Sequence, residues 1–117
     1  MSSNSWPIPD GLTDLGRQAA ETIVDFLNSH GLTEHGGGGR FYTPQEWAAR
    51  GERWGRNSLL VVTHDGGDHA GAFNWDYEQV ELREALEKAL SGIGVFVEQC
   101  TSWYSSVHQC APRGPAA

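Results

Sequence analysis

The sequence predicts an α+β domain with two layers, in which a three-stranded mixed sheet of strand order 2-1-3 carries helices on one face. Three observations indicate this class. Two long stretches have the apolar spacing of amphipathic helices, and short β-branched runs are separated by glycine-rich turns. The 117 residues, 38% of them hydrophobic, suffice for one core but not for two. The predicted chain order is α-α-β-β-α-β.

The ends of the chain lack the patterns of regular structure. Pro7 and Pro9 interrupt the first residues, so we expect an irregular N-terminal arm over residues 1–11. A single α+β domain is expected over residues 12–108, followed by a flexible C-terminal tail over residues 109–117.

The first two helices have clear start and stop signals. Apolar residues recur at helical spacing over 12–30, and Gly31 is a typical residue after a helix end. The segment Thr43-Pro44-Gln45-Glu46 supplies an N-cap, a proline at the first helical position and the glutamate of a capping box. It therefore predicts a short helix over about 44–52.

A third helix is expected to begin with Asp76 as its N-cap and to end at Gly92 or Gly94. Its apolar stripe consists of Leu82, Ala85, Leu86, Ala89, Leu90 and Ile93. A spacing of three places four carboxylates on the outer side of this helix: Glu78, Glu81, Glu84 and Glu87.

Three segments have the character of strands. The aliphatic run 58–63 predicts a buried strand, and the turn-forming residues His64–His69 would connect it to a second, shorter strand over 70–74 as a hairpin. The last strand is expected to run from Val95 to about Val107. The glycine run Gly36–Gly39 is expected to be a flexible loop.

The path of the chain fixes the expected sheet. A right-handed crossover through the third helix would set the third strand parallel to the second, with the first strand in the centre. This arrangement puts His64–His69 near Gly92–Gly94 at one edge of the sheet. The other edge would gather Trp54, Asn57, Asn74, Trp75, Asp76, Trp103, Tyr104 and His108.

The net charge of −7 restricts the class of partner. Most of it lies in residues 10–34 and 65–98, whereas residues 40–56 are slightly basic. Because binding to a phosphate backbone depends on clustered lysine and arginine, the sequence predicts no direct nucleic-acid binding. A protein with a basic surface is the expected partner.

No segment indicates a membrane or a cofactor. The longest aliphatic run, Leu59–Val62, is far shorter than the ~20 apolar residues that span a bilayer. The opening residues Met1–Ser5 lack the features of a signal peptide, so a cytoplasmic protein is expected. The glycine run has neither the preceding strand nor the following helix of a phosphate-binding loop, and no cofactor is predicted.

A metal site is one hypothesis for the turn that follows the first strand. Its candidate ligands are His64, Asp65, Asp68 and His69, all of types that bind first-row divalent ions. The favoured alternative is ordinary turn chemistry, in which glycine supplies positive φ and aspartate bonds its own backbone.

A thiol nucleophile is a second chemical hypothesis. Cys100 could pair with His108 as its base and Asp76 as the group that orients the base. The favoured alternative is an inert, packed thiol, because cysteine is among the most buried residue types. With Cys110, the sequence predicts two free thiols in a reducing compartment.

The five tryptophans indicate both core and interface positions. Trp47 is expected to be structural, whereas edge or pocket positions are expected for Trp54, Trp75 and Trp103. The predicted binding residues are Trp54, Asn74, Trp75, Asp76, Trp103, Tyr104, Glu78, Glu81 and Glu84.

Three segments carry a family resemblance over residues 41–108. They are Leu59–Gly67 (LLVVTHDGG), Asn74-x-Asp76-Tyr77 and Glu98-x-x-Thr101-Ser102-Trp103-Tyr104-Ser105. This pattern resembles a group of small uncharacterised proteins of actinobacterial bacteriophages and their hosts. The resemblance implies a phage accessory protein in the bacterial cytoplasm, and it transfers no catalytic residue.

These observations favour a non-enzymatic, acidic interaction protein that binds or inhibits a host or phage protein. One alternative is a small metal-binding or metal-dependent hydrolytic domain that uses the loop His64–His69. Another is a structural homodimer that pairs through an open sheet edge.

Overall fold

The structure is a computed structural model that describes residues 7–32, 39–51, 58–64, 70–74, 78–101 and 103–110. Within these ranges the elements are α1 (Asp14–Ser29), β1 (Gly39–Tyr42), α2 (Pro44–Ala49), β2 (Leu60–His64), α3 (Ala70–Phe73), α4 (Val80–Ser91), β3 (Val95–Gln99) and β4 (Tyr104–Gln109). None of the helices in the described part of the chain is long and apolar enough to cross a membrane.

The strands form one four-stranded sheet of order β1-β2-β4-β3, and all three pairings are antiparallel. The α+β class agrees with the prediction. The predicted three-stranded mixed sheet of order 2-1-3 is wrong, because the described strands are four and no described pair is parallel. The central place of β2 is as predicted, and all five of its residues are buried.

The single last strand predicted over 95–107 is instead a hairpin of β3 and β4. The Thr101 hydroxyl accepts hydrogen bonds from the N–H groups of Trp103 and Tyr104, at 3.2 and 3.3 Å. The Cys100 N–H also donates to the Tyr104 carbonyl at 3.0 Å. These bonds reverse the chain within a few residues, as threonine does in local side-chain turns.

The segment predicted as a second strand, 70–74, contains the one-turn helix α3. Arg83 donates from Nη1 to the carbonyl oxygen of Phe73, at 2.6 Å, so a tertiary contact holds this helix end. The predicted hairpin of 58–63 with 70–74 is therefore wrong.

The strand that sequence reasoning missed is β1, which pairs with β2 from Gly39 opposite His64 to Tyr42 opposite Val61. The predicted flexible glycine loop placed Gly39 outside the sheet, which is wrong. Its other three glycines lie outside the described residues.

The C-terminal end of α1 and the start of α2 are those predicted, whereas α2 ends at Ala49 and not near residue 52. Thr13 caps α1, and the Leu32 N–H bonds the Leu27 carbonyl at 2.8 Å around Gly31, whose φ is +68°. This is the Schellman arrangement that favours glycine. Thr43 and Glu46 form the predicted capping box of α2. By contrast, α4 begins at Val80 after Gln79, and the predicted cap Asp76 lies outside the described residues.

The sheet is covered differently on its two faces. On the core face, Leu60, Val62 and Val107 pack with the buried residues of α1 and α4 in the main core. On the second face, Val61 and Tyr104 pack with Trp47 of α2. The prediction of helices on one face is wrong for α2, because its tryptophan anchors it to the opposite side.

Candidate functional site

The exposed carboxylates of α4 form an acidic surface. Glu81 and Glu84 on α4 and Glu78 just before it are exposed, as their spacing predicts. The side chain of Glu87 is 44% exposed and lies 3.4 Å from the guanidinium of Arg83. Glu78 has a φ of +58°, an uncommon backbone conformation for a residue with a side chain.

The cation of Arg83 is buried beneath these carboxylates. Arg83 is 3% exposed and donates hydrogen bonds to the Phe73 carbonyl and to the Glu87 carboxylate. Burial lowers the pKa of Arg83, and the Glu87 carboxylate acts in the opposite sense. The positive charge of Arg83 therefore faces the protein interior, whereas Lys88, the other cation of α4, is exposed one turn after Glu84.

A shallow groove of about 530 Å³ runs beside this helix along β3. Its lining comes from Arg83 and Glu87 on α4 and from the six consecutive residues 96–101. Phe96 is 43% exposed and the side chain of Glu98 is 65% exposed. The groove thus presents an aromatic ring and two accessible carboxylates.

The ladder between β3 and β4 shows which way the main chain of β3 points. The Cys110 N–H donates to the Gly94 carbonyl at 2.8 Å, and the Cys100 N–H donates to the Tyr104 carbonyl at 3.0 Å. Residues in an antiparallel strand alternate between bonding the neighbouring strand and pointing away from it. The even-numbered residues of this hairpin strand therefore bond β4.

By the same alternation, the N–H and C=O groups of Val95 and Val97 point to the outer edge of β3. Among the described strands, β3 pairs with β4 alone. The side chains of the two valines lie in the core, where Val95 is 1% and Val97 is 7% exposed. The groove beside α4 is therefore bordered by main-chain hydrogen-bonding groups.

Two residues of the predicted thiol site, Cys100 and His108, belong to a connected series of contacts. Cys100 Sγ lies 3.3 Å from Ser106 Oγ, which lies 2.8 Å from His108 Nε2, which lies 3.5 Å from Glu98 Oε1. The proposed orienting residue Asp76 lies outside the described residues.

These four residues lack the geometry of a catalytic triad. Ser106 and Glu98 both approach the same nitrogen of His108, whereas a base needs one nitrogen for the nucleophile and the other for the carboxylate. Ser106 is 1% exposed, and burial raises the pKa of the Cys100 thiol. Both features oppose a nucleophilic role. Cys100 and Cys110 are free thiols.

His64, the first candidate metal ligand, is a buried residue of the core face. Its Nε2 lies 2.9 Å from Ser105 Oγ, and its ring stacks on Phe73 with centroids 5.3 Å apart. Its candidate co-ligands Asp65, Asp68 and His69 lie outside the described residues. Within the described ranges, no group of three or more histidine, cysteine or acidic side chains is placed to hold a metal ion.

The predicted separation of His64 from Trp103 and Tyr104 is wrong. The His64 N–H donates to the Trp103 carbonyl at 2.8 Å, so they lie at the same end of the sheet. His108 instead pairs with Phe96 near the Gly94 end. The hairpin causes this reversal, because β4 runs back along β3 instead of continuing it.

The other predicted binding residues divide by burial. Tyr104 is 2% and Asn74 is 6% exposed, and Asn74 accepts a hydrogen bond from Gln99 Nε2 at 3.1 Å. Trp103 is partly buried, with its ring 5.7 Å from that of fully buried Trp47. The remaining predicted binding residues, Trp54, Trp75 and Asp76, lie outside the described residues.

Sequence reasoning missed Phe96 and Glu98 as surface residues and Arg83 as the buried cation beside them. The alternation of Val95, Phe96, Val97 and Glu98 was the available signal, because it is typical of a strand with one open face. Comparisons of this chain with protein-family models, curated proteins and solved structures find no match.

Proposed function

We propose that this protein is a non-enzymatic interaction protein that binds a basic region of another protein in the groove between α4 and β3. The groove exposes the carboxylates of Glu87 and Glu98, while the one guanidinium in its lining, that of Arg83, is buried.

The charge of the whole molecule supports the same partner. The net charge of −7 attracts positively charged molecules over several ångströms, and the outer face of α4 concentrates that field beside the groove. Complementary charge of this kind raises the rate of association and selects among partners. Phe96 adds an exposed apolar contact of the kind that anchors interfaces.

The resemblance of residues 41–108 to accessory proteins of actinobacterial phages and their hosts suggests where the partner is found. We propose a host or phage protein in the bacterial cytoplasm, whose activity the binding inhibits. The proposal uses no metal and no cofactor.

The test is affinity capture from an actinobacterial lysate with two charge-matched variants. One carries Glu81→Gln, Glu84→Gln and Glu87→Gln on α4. The other carries Asp14→Asn, Glu21→Gln and Asp25→Asn on exposed positions of α1. Both lose three negative charges, so they differ in the place of the change and not in its size.

We expect the wild-type protein and the α1 variant to capture the same basic protein, and the α4 variant to lose it. High salt should release the captured protein, because salt screens exposed charges. Equal capture by the two variants, or capture that resists high salt, would contradict the proposal.

A further inference from the structure

The outer edge of β3 offers main-chain hydrogen bonds at Val95 and, within the groove, at Val97. From this we propose that the partner binds by strand addition: an extended segment with basic residues at alternate positions pairs with β3 beside α4. The inference rests on the proposed function and adds the form of the partner. Its basis is the outward direction of the N–H and C=O groups of Val95 and Val97.

The groove has the shape that an added strand requires. Six consecutive residues, 96–101, line one side, so the groove follows the strand instead of crossing it. Arg83 and Glu87 of α4 line the other side. An added strand would lie about 4.8 Å from β3, within this space.

The side chains of β3 give the added segment a pattern. A residue opposite Glu98 places its side chain on the same face as that carboxylate, and a basic side chain there forms a favourable cross-strand pair. Phe96 lies two residues away on the same face, where its exposed ring suits the aliphatic stem of arginine or lysine. The intervening residue, opposite Val97, points toward α4 and Glu87.

Charge favours such a segment over a second copy of this chain. Two copies paired through β3 would each bring a net charge of −7 to the contact. Their Glu87 and Glu98 carboxylates would then share one groove, where like charges repel. A basic segment instead neutralises the Glu98 carboxylate.

The experiment measures binding of fluorescent peptides by anisotropy. The parent peptide has ten residues of alternating arginine and valine. A second peptide has methyl groups on its central main-chain nitrogens, which keeps the charge but removes the donors for strand pairing. A third has glutamate in place of arginine. The protein variants are Glu98→Gln in the groove and Asp25→Asn on α1, both at exposed positions.

We expect the wild-type protein to bind the parent peptide and to bind the methylated and acidic peptides at least tenfold more weakly. Glu98→Gln should weaken binding of the parent peptide at least threefold, and Asp25→Asn should leave it unchanged. Light scattering should show a monomer in the absence of peptide.

Equal binding of the methylated and parent peptides, with Glu98→Gln still weakening both, would overturn strand addition and leave the proposed function intact. Absence of binding by the parent peptide, together with failure of the lysate capture, would overturn both. A doubled mass without peptide, with a larger dimer fraction for Glu98→Gln than for the wild-type protein, would show that a second copy of this chain occupies the edge of β3. This result would also overturn the inference.

Discussion

The guanidinium of Arg83 donates a hydrogen bond to the carbonyl oxygen of Phe73 across 2.6 Å and thereby joins α4 to the end of α3. The same side chain reaches Glu87 at 3.4 Å. This buried cation holds a structural contact on one side and anchors the acidic wall of the groove on the other. Its role is therefore testable through stability as well as through binding.

Replacing Arg83 should destabilise the fold. Arg83→Met keeps the length of the side chain but removes every donor, so we expect a loss of about 2 kcal/mol in the free energy of unfolding. Urea unfolding measures the change. The matched variant Glu87→Gln should cost less than about 1 kcal/mol, because the Glu87 side chain is 44% exposed. Equal losses in the two variants would show that the bond to Phe73 stabilises little.

The buried pair of His64 and Ser105 should also contribute to stability. Ser105 is 0% exposed and its hydroxyl lies 2.9 Å from His64 Nε2. Ser105→Ala should reduce the free energy of unfolding by about 1–2 kcal/mol, because it leaves a buried polar nitrogen without this hydroxyl. Ser91→Ala, at an exposed position of α4, should change it by less than about 0.5 kcal/mol. Thermal unfolding of the two variants provides the comparison.

The two cysteines should differ sharply in reactivity. Cys110 is exposed, whereas burial raises the pKa of the Cys100 thiol, so less of the reactive thiolate forms at Cys100 near neutral pH. In native protein, an alkylating reagent should modify the Cys100→Ser variant, which retains Cys110, faster than the Cys110→Ser variant. In urea the two rates should converge. Faster native modification of Cys100 would reopen the thiol hypothesis.

The raised pKa of the Cys100 thiol should also lower the stability of the fold at alkaline pH. Because the folded protein holds the proton of Cys100 more tightly than the unfolded chain, this thiol should reduce stability as the pH rises above the ordinary thiol pKa of 9.0. Cys100→Ser should lose that part of the alkaline destabilisation. Urea midpoints measured at pH 7 and pH 10 for both proteins test it, and parallel changes in the two would contradict it.

A close approach of backbones makes Gly16 sensitive to a single methyl group. A Cβ atom at Gly16 would lie 2.7 Å from the carbonyl oxygen of Leu59, a backbone atom that cannot move aside easily. Gly16→Ala should therefore destabilise the protein by about 1–3 kcal/mol, although alanine favours helices. Gly92→Ala is the control, because Gly92 has helical backbone angles and an added Cβ meets the nearest carbonyl oxygen at 3.4 Å. Equal stability of the two variants would contradict the predicted clash.

Sequence patterns predicted the elements whose stability is local. The apolar faces of α1 and α4, the capping box at Thr43 and the stop at Gly31 are all recognisable within a few residues. The burial of β2 follows from its continuous aliphatic run. These signals depend on backbone propensity and on periodicity, and a single sequence contains both.

The remaining features depend on contacts between distant residues. Gly39 is a poor strand former. It belongs to a strand because it pairs with β2, and not because of its local propensity. The run 70–74 has strand-like composition, yet the bond from Arg83 to Phe73 holds a helical turn there. The sequence predicts one continuous strand over 95–107 in place of the hairpin at Thr101, and such a strand does not place Glu98 and Phe96 on an edge beside α4.

The most direct test of the central claim is amide hydrogen exchange, measured residue by residue by NMR with and without the arginine–valine peptide. The account predicts that the peptide slows exchange at least tenfold at Val95 and Val97 and leaves the amides of α1 unchanged. Unchanged exchange at both valines in the peptide-bound protein, or protection at β1 instead, would contradict it.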